Sequence, residues 1–328
     1  MSLRYRVYVG LCALILSISC NNKLDVYAPP KEIMVVYALL NSSDSVHYIK
    51  VNKAFVSENS NAVELAKEPD ALFFDSLKVE LISHSDGSRY LFTKDSSIKK
   101  DSGAFSHVVN YLYKSNVPLV EGHTYKVLVT NPLTGNQAEG ITRIVHSPSE
   151  KTPSRNPISI NNFSITPATS FLVSYEAGQS SKIYDITLRM FYDETDATTG
   201  ITRRDTLNWR FASGKFVTSR LINIRIPGQL FYDYVGSNIP IAGPKISRKA
   251  IALEFEYWAG DENLATYIDA FNGSVGIVQK KNDYTNVQNG YGIVASRNRY
   301  TITGTMISKD IRDNLEVNPS TTVLNFVD

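Results

Sequence analysis

Residues 121–145 read EGHTYKVLVTNPLTGNQAEGITRIV, and this stretch carries the clearest indication of the fold. Thr124–Thr130 is rich in β-branched residues, which suit the pleated surface of a sheet, and predicts a strand. Asn, Pro and Gly in residues 131–136 predict a hairpin turn into a second strand at 137–145. Tyr125 stands where immunoglobulin-like sandwiches have a tyrosine corner, so we predict a β-sandwich here.

Upstream of this hairpin, short alternating or β-branched runs recur at the close spacing that is typical of an all-β sandwich. They cover Ile33–Leu40 and residues 46–55, 77–83, 90–93 and 105–110. Residues 61–68 interrupt the series and predict one or two helical turns. The fold class is therefore predicted to be mainly β, with an immunoglobulin-like sandwich over residues 33–146.

Downstream of the hairpin, residues 146–157 read HSPSEKTPSRNP and contain three prolines with almost nothing apolar. Such a composition favours an extended backbone and few buried contacts. We therefore predict a Pro-rich linker at residues 147–157, followed by a second domain at 158–328 that is β-rich and carries a few short helices.

Hydrophobic periodicity supplies the elements of this second domain. Ile186, Leu188 and Met190 alternate with polar residues, and so do Leu207, Trp209 and Phe211, with a polar stretch at 193–204 between them; this pattern predicts a long hairpin. Residues 248–258 predict another strand, with Ile251, Leu253, Phe255 and Tyr257 on one face.

Three helices are predicted in the same segment. One begins after the capping residue Asp261, because apolar residues follow at i, i+3, i+4 and i+7: Leu264, Tyr267, Ile268 and Phe271. A shorter helix is predicted at residues 227–235, and a third after Ser308 with Ile311 and Leu315 facing inward.

The N-terminal residues have the order of an export signal. Arg4 and Arg6 precede an apolar core at 7–16 that is too short to span a bilayer, so residues 1–19 predict a signal peptide. Small and apolar residues then lead into Cys20, which resembles the lipobox cysteine of bacterial lipoproteins, with residues 20–32 as a lipidated tether. The alternative is an ordinary signal peptide followed by a chance cysteine.

The other cysteine, Cys12, lies inside the leader. Lipidation of Cys20 would therefore leave the mature chain without a thiol, which excludes disulfides, cysteine-bound metals and thiol catalysis. Loss of Arg4 and Arg6 with the leader also leaves equal numbers of basic and acidic residues. Nucleic acid is thereby disfavoured as a partner, because phosphate binding needs a basic surplus.

The chain resembles a large group of uncharacterised Bacteroidota lipoproteins that share a domain of unknown function. The likeness is carried by the lipobox, the early strand IMVVYALL at Ile33–Leu40, GHTY at residues 122–125 and NVQNGYGIV at 286–294. His123 and Val294 depart from the family pattern. The resemblance implies an immunoglobulin-like N-terminal domain, a β-rich C-terminal domain, outer-membrane anchoring and genes beside TonB-dependent transporters. It supplies no catalytic residue.

Within the last of these motifs, Asn289, Gly290, Tyr291 and Gly292 form the family-like NGYG segment. Asn-Gly favours a positive φ, and Gly292 allows another backbone to approach closely, so a tight turn into a strand is predicted. Two glycines around a tyrosine are also compatible with the wall of a ligand groove.

Candidate residues for acid–base or metal chemistry are few. The histidines stand singly, without the spacing of a metal site: His47, His84, His107, His123 and His146. No phosphate loop, dinucleotide fingerprint, nucleophile elbow or zinc-protease motif is present in the sequence. We predict neither a cofactor nor a metal.

Acidic residues offer two weaker alternatives. The cluster at residues 193–196 has the oxygen ligands that calcium prefers, but Arg203 and Arg204 favour a salt-bridged hairpin instead. A glycan hydrolase would need two carboxylates facing each other across a pocket, for which Asp261 and Asp269 are candidates. Both are better explained as a helix cap and a solvated helix face.

Surface features point to binding rather than chemistry. Tyrosine is frequent, with 19 residues against 2 tryptophans, and its ring and hydroxyl suit contacts with sugars or proteins. Ser45, Ser76 and Thr206 each follow an aspartate and precede an aliphatic residue, which resembles a periplasmic O-glycosylation signal of Bacteroidota.

These observations predict a non-enzymatic outer-membrane lipoprotein that is anchored to membrane lipid through Cys20 and acts as a binding or accessory partner of a TonB-dependent transporter. Whether the domains face the periplasm or the cell surface stays open. The alternatives are a stand-alone surface adhesion or structural module and a carboxylate-dependent glycan hydrolase.

Overall fold

The computed structural model describes residues 33–54, 67–101, 109–154, 163–241, 243–272 and 284–328. The predicted signal peptide, Cys20 and the tether lie outside these residues, and so do His107 and residues 61–66 of the predicted helical insertion. Residues 33–328 form one compact unit. The fold is mainly β, as the sequence predicts.

The described residues of the N-terminal half form strands and one short helix. The elements are β1 (Ile33–Leu40), β2 (His47–Ala54), α1 (Pro69–Leu72), β3 (Lys78–Ser83), β4 (Arg89–Asp95), β5 (Leu112–Ser115), β6 (Thr124–Thr130), β7 (Gln137–Arg143) and β8 (Ser149–Thr152).

The C-terminal half has longer strands and the remaining helices. The elements are β9 (Ser170–Glu176), β10 (Ile183–Asp196), β11 (Ile201–Phe216), β12 (Leu221–Pro227), α2 (Gly228–Asn238), β13 (Ile246–Gly260), α3 (Glu262–Asn272), β14 (Val287–Gln288), β15 (Gly290–Met306), α4 (Lys309–Val317) and a 3-10 turn at Thr322–Leu324.

One sheet connects the two halves of the chain. Its order is β11-β10-β13-β15-β1-β2-β5-β4-β3-β6-β7-β14, and a second sheet has the order β12-β9-β8. The halves meet where β1 pairs in parallel with the first part of β15, while the last part of β15 pairs antiparallel with β13. The strands of residues 33–146 thus share a sheet with strands of the C-terminal half. A separate immunoglobulin-like sandwich over residues 33–146 therefore stays a prediction.

Two hydrophobic cores lie along this chain. One is built from strands β1 to β7 together with Val287 and Val294, and the other from residues 163–326. Residues 147–157 lie between the parts of the chain that form these cores, and the Pro-rich linker there stays a prediction. Ser149–Thr152 is strand β8, because its backbone pairs with β9.

Three local predictions need correction. Residues 105–108 of the strand predicted at 105–110 lie outside the described residues, residues 109–110 are not in a strand, and β5 begins at Leu112. Phe271 was predicted to face inward from α3 but is 47% exposed, because it lies at the last turn of the helix. On β13, Leu253, Phe255 and Tyr257 are buried as predicted, whereas Ile251 is not, since the pairing with β10 shifts register near it.

Candidate functional site

A concavity in the described residues lies between helix α3 and the outer face of β1, β2 and β15. We call it the α3 groove, and its volume is about 480 Å³. It is defined by Tyr37, Leu39, Asp44, Tyr48, Lys50, Leu264, Tyr267, Ile293, Ala295 and Arg297.

Strand alternation explains how the sequence builds its floor. Residues 34, 36, 38 and 40 of β1 point into the core, which leaves Tyr37 and Leu39 on the opposite face. The parallel register sets Tyr37 beside Ile293 and Leu39 beside Ala295. Ile293 and Ala295 are buried and Tyr37 is 42% exposed, so the groove has an apolar floor and an accessible aromatic wall.

Helix α3 supplies the other wall. Its residues Leu264 and Tyr267 line the groove. Burial, with a smaller contribution from nearby Tyr37, raises the pKa of the Tyr267 hydroxyl, which therefore stays protonated as a hydrogen-bond donor. Lys50 enters from β2 and donates to the Asn110 side chain at 3.3 Å; burial lowers its pKa.

Arg297 continues the same face of β15 and is the cation at the inner end of the groove. Its Cζ atom lies 4.4 Å from the ring centroid of Trp258 on the neighbouring strand β13. Burial lowers the pKa of its guanidinium; the nearby Asp44 carboxylate opposes this decrease, whereas Arg299 adds to it. Among the described residues, Arg297 forms no ion pair, and its buried Nε atom has no hydrogen-bond acceptor.

A second depression of about 430 Å³ adjoins the α3 groove and shares Leu39, Leu264 and Arg297 with it. Trp258 and Asp185 line this neighbour. Arg297 therefore stands where the two depressions meet, with its guanidinium available to both.

Three other arginines on this face are already paired with carboxylates. Arg299 lies 3.5 Å from Glu256, Arg189 lies 3.5 Å from Glu254, and Arg210 lies 3.9 Å from Asp185. Arg297 differs from these three arginines, because it forms no ion pair among the described residues.

Asp261, a candidate carboxylate from the sequence, fixes helix α3 in place. Its carboxylate accepts hydrogen bonds from the Leu264 backbone at 2.9 Å, which makes it the predicted N-cap, and from the Thr142 hydroxyl at 2.6 Å. Burial raises its pKa to about 6. The other candidate, Asp269, is exposed on the helix. Asp261 is therefore a helix cap and Asp269 lies on a solvated helix face, as predicted.

The NGYG segment opens strand β15. Asn289 has φ 55°, as the predicted turn requires. Gly292 has φ 109°, and a Cβ added there would lie 2.0 Å from the Val36 carbonyl oxygen. Gly290 is similarly tight against the Met34 carbonyl oxygen. Tyr291 is 53% exposed and does not line the α3 groove. The glycines thus allow β1 to approach, and the segment aims the next outward residues into the groove.

The remaining candidate residues are spread over the fold. Ser45 and Ser76 are exposed in the segments that precede β2 and β3, whereas Thr206 is half-buried within β11. His47 is buried and donates from its ring to the Val117 carbonyl at 2.9 Å. Among the described residues, no three histidine, cysteine or acidic side chains form a group that would hold a metal ion.

The acidic cluster at 193–196 is salt-bridged, as predicted. Arg204 donates to both carboxylate oxygens of Asp193, at 2.7 and 2.9 Å, and Arg248 donates to Glu194 at 2.9 Å. The arginines therefore occupy the oxygens that a calcium ion would need.

Sequence reasoning missed Trp258 and Arg297. A signal was present, because Trp258 stands out of phase with the buried alternation of its strand and must face outward. What sets Arg297 beside it is the register of β13 on β15, in which Trp258 lies opposite Arg299.

Comparison with known proteins adds no family. No protein-family model matches the chain, and no curated protein matches it either. Within the described part of the chain, no helix has both the length and the apolarity to cross a membrane.

Proposed function

We propose that the protein is an exported outer-membrane lipoprotein, anchored through Cys20, that acts as a non-enzymatic binding or accessory partner of a TonB-dependent transporter. The observation that carries the binding role is the α3 groove. An apolar floor, tyrosine side chains and one unpaired guanidinium are the combination expected of a site that holds a ligand in a defined orientation.

Anchoring through Cys20 would place this groove at the outer membrane. Residues 1–20 have the order of a lipoprotein signal. A lipid chain confines the attached domains to the membrane plane and raises their effective concentration near an integral partner. The transporter as partner comes from the family resemblance.

Two segments are the proposed contacts with that partner. One is the loop at residues 57–75, of which residues 67–75 are described and contain α1. The other is the polar tip of the β10–β11 hairpin at 193–204, which turns through Gly200 at φ 69°. Loops held by rigid strands are common recognition surfaces.

A stand-alone surface module is the second candidate function, and one observation favours it. Trp209 stacks on Tyr234 with ring centroids 5.6 Å apart, beside the exposed Leu230, on a shallow surface. A half-buried aromatic pair beside an exposed apolar side chain suits direct adhesion.

Membrane fractionation tests the anchor. We expect Cys20→Ser to leave the outer-membrane fraction, whereas Cys12→Ser, which changes the predicted leader, should remain there. Retention of the Cys20→Ser protein in the outer membrane would refute anchoring through this residue.

Affinity purification from gently solubilised membranes tests the partner. We expect the lipidated protein to retain an integral outer-membrane transporter, and the Cys20→Ser protein to retain much less of it. Recovery of no integral protein, under conditions that preserve other transporter–lipoprotein complexes, would favour the surface module instead.

A further inference from the structure

The unpaired guanidinium of Arg297 sets the ligand chemistry of the α3 groove. Removing a charged group from water is costly unless other groups compensate for the loss of hydration. Other arginines on this face have carboxylate partners, at Asp185, Glu254 and Glu256. Arg297 is half-buried and has none among the described residues. An external carboxylate can therefore reach the guanidinium only through its Nη atoms, because the Nε atom is buried.

Trp258 orients this guanidinium for binding. Stacking on an indole ring uses the flat face of the guanidinium and leaves its N–H groups free in the plane. Those N–H groups match the two oxygens of a carboxylate, which arginine binds through paired hydrogen bonds. The stack also limits the side-chain freedom that binding would otherwise have to remove.

The rest of the groove limits what can carry that carboxylate. Tyr37 and Tyr267 offer aromatic rings for the C–H face of a sugar and hydroxyls for its oxygens. Asp44 lines the same groove and accepts hydrogen bonds from hydroxyl donors, but it disfavours a ligand with several negative charges, such as a nucleotide. The groove is also open along its length, whereas a fatty acid needs an enclosed apolar tunnel.

We propose that the α3 groove binds a carboxylated saccharide, with the acid on Arg297 and a sugar ring between Tyr37 and Tyr267. This inference rests on the binding role proposed above and names the ligand class for the same groove. Lys50 and Asp44, which line the same groove, then contact the sugar hydroxyls, and Asp44 lies near enough to Arg297 to act on its charge.

Calorimetry on the full-length protein in mild detergent tests the proposal. The probes are trigalacturonate, its methyl ester and a glucuronate-containing disaccharide. We expect at least one free acid to bind and the ester to bind about tenfold or more weakly, because it has lost the charge-assisted hydrogen bonds. Failure of both acids to bind at millimolar concentration, or equal binding of acid and ester, would overturn the inference.

Arginine variants locate the binding. Arg297→Gln should weaken the acid about tenfold or more and leave the ester unchanged. Arg299→Gln is the matched control: Arg299 lies on the same strand and near the same indole, at 5.4 Å, but is paired with Glu256. Equal affinity of the Arg297→Gln and unaltered proteins, each with an unchanged melting temperature, would contradict the assignment.

A tyrosine pair separates stacking from charge. Tyr37→Ala should weaken binding of both acid and ester, whereas Tyr291→Ala, an exposed tyrosine outside the groove, should change neither. A protein that retains a transporter but binds no acid would keep the proposed function and lose this inference. A protein that binds the acid but retains no transporter would keep this inference and lose the proposed transporter partnership.

Discussion

The Thr142 hydroxyl donates a 2.6 Å hydrogen bond to the Asp261 carboxylate, although 119 residues separate the two in sequence. This bond attaches the start of helix α3 to strand β7, and so joins a helix of the C-terminal half to a strand of the N-terminal half. Because α3 forms one wall of the α3 groove, the contact also holds the candidate site in shape.

The Asp261 contact predicts an unusual pH dependence. Burial raises the folded-state pKa to about 6, above the unfolded value, so the folded protein binds the proton more readily. The contribution of Asp261 to the free energy of unfolding should therefore rise by up to about 3 kcal/mol as pH falls from 7 to about 4, whereas carboxyls with a lowered pKa, such as Asp193, act in the opposite direction. Urea unfolding across this range measures it.

Asp261→Asn isolates the effect, because the amide keeps the cap oxygen for Leu264 and removes the charge. We expect the variant to be at least as stable as the unaltered protein at pH 7 and to lose this advantage near pH 4. Asp261→Ala loses the cap as well and should be less stable by about 1–2 kcal/mol. An Asn variant whose stability difference does not change with pH would contradict the raised pKa.

Gly292 should tolerate no side chain. Its φ of 109° and the Val36 carbonyl oxygen 2.0 Å from an added Cβ combine strain with a backbone collision in the β1–β15 pairing. We expect Gly292→Ala to lower the free energy of unfolding by more than about 3 kcal/mol.

The matched control is Gly200→Ala at the β10–β11 turn, where φ is 69° and nothing lies within 4 Å of an added Cβ. That substitution carries strain alone and should cost about 1–2 kcal/mol. Equal losses in chemical unfolding would show that the approach of β1 is not what requires Gly292.

Local signals in the sequence were sufficient for several elements. The β6–β7 hairpin follows from β-branched runs around an Asn-Pro-Gly turn, and helix α4 follows from Ser308 as N-cap with Ile311 and Leu315 buried. In each case the residues that decide the structure are close in sequence. Such patterns therefore predict elements and the faces they bury.

Long-range pairing was not predictable in this way. Nothing local in β1 specifies β15 as its parallel neighbour, and strand β8 was obscured by the prolines around it. The candidate site has the same origin, because Arg297 reaches Trp258 through the register of two strands. A site assembled by register leaves no sequence motif.

Tyr125 tests the predicted tyrosine corner. Its ring is buried, and its hydroxyl accepts a hydrogen bond of 3.2 Å from the Val120 backbone, five residues earlier. Tyr125→Phe keeps the ring and leaves that N–H without its acceptor, which should cost about 1–2 kcal/mol. Tyr291→Phe, at an exposed site, is the control and should be neutral. An unchanged melting temperature for the Tyr125→Phe variant would show that this hydrogen bond does not stabilise the fold.

The buried side chain of Arg248 connects the C-terminal segment to the β10–β11 hairpin. The side chain is 3% exposed, and its guanidinium donates to Glu194 at 2.9 Å and to the carbonyls of Leu324 and Pro240 at 2.9 and 3.0 Å. All three N atoms are thus paired. Removing such a buried cation leaves its acceptors unsatisfied.

We expect Arg248→Ala to cost about 3–5 kcal/mol and to expose the C-terminal residues to proteolysis. Arg204→Ala, on the hairpin whose Glu194 pairs with Arg248, provides the control, since Arg204 and Asp193 form their ion pair at the surface and should contribute little. Chemical unfolding and limited proteolysis of the two variants measure the difference. Similar losses in both would mean that Arg248 contributes no more than a surface ion pair, and that the C-terminal segment is held by the apolar contacts of Leu324 and Phe326 instead.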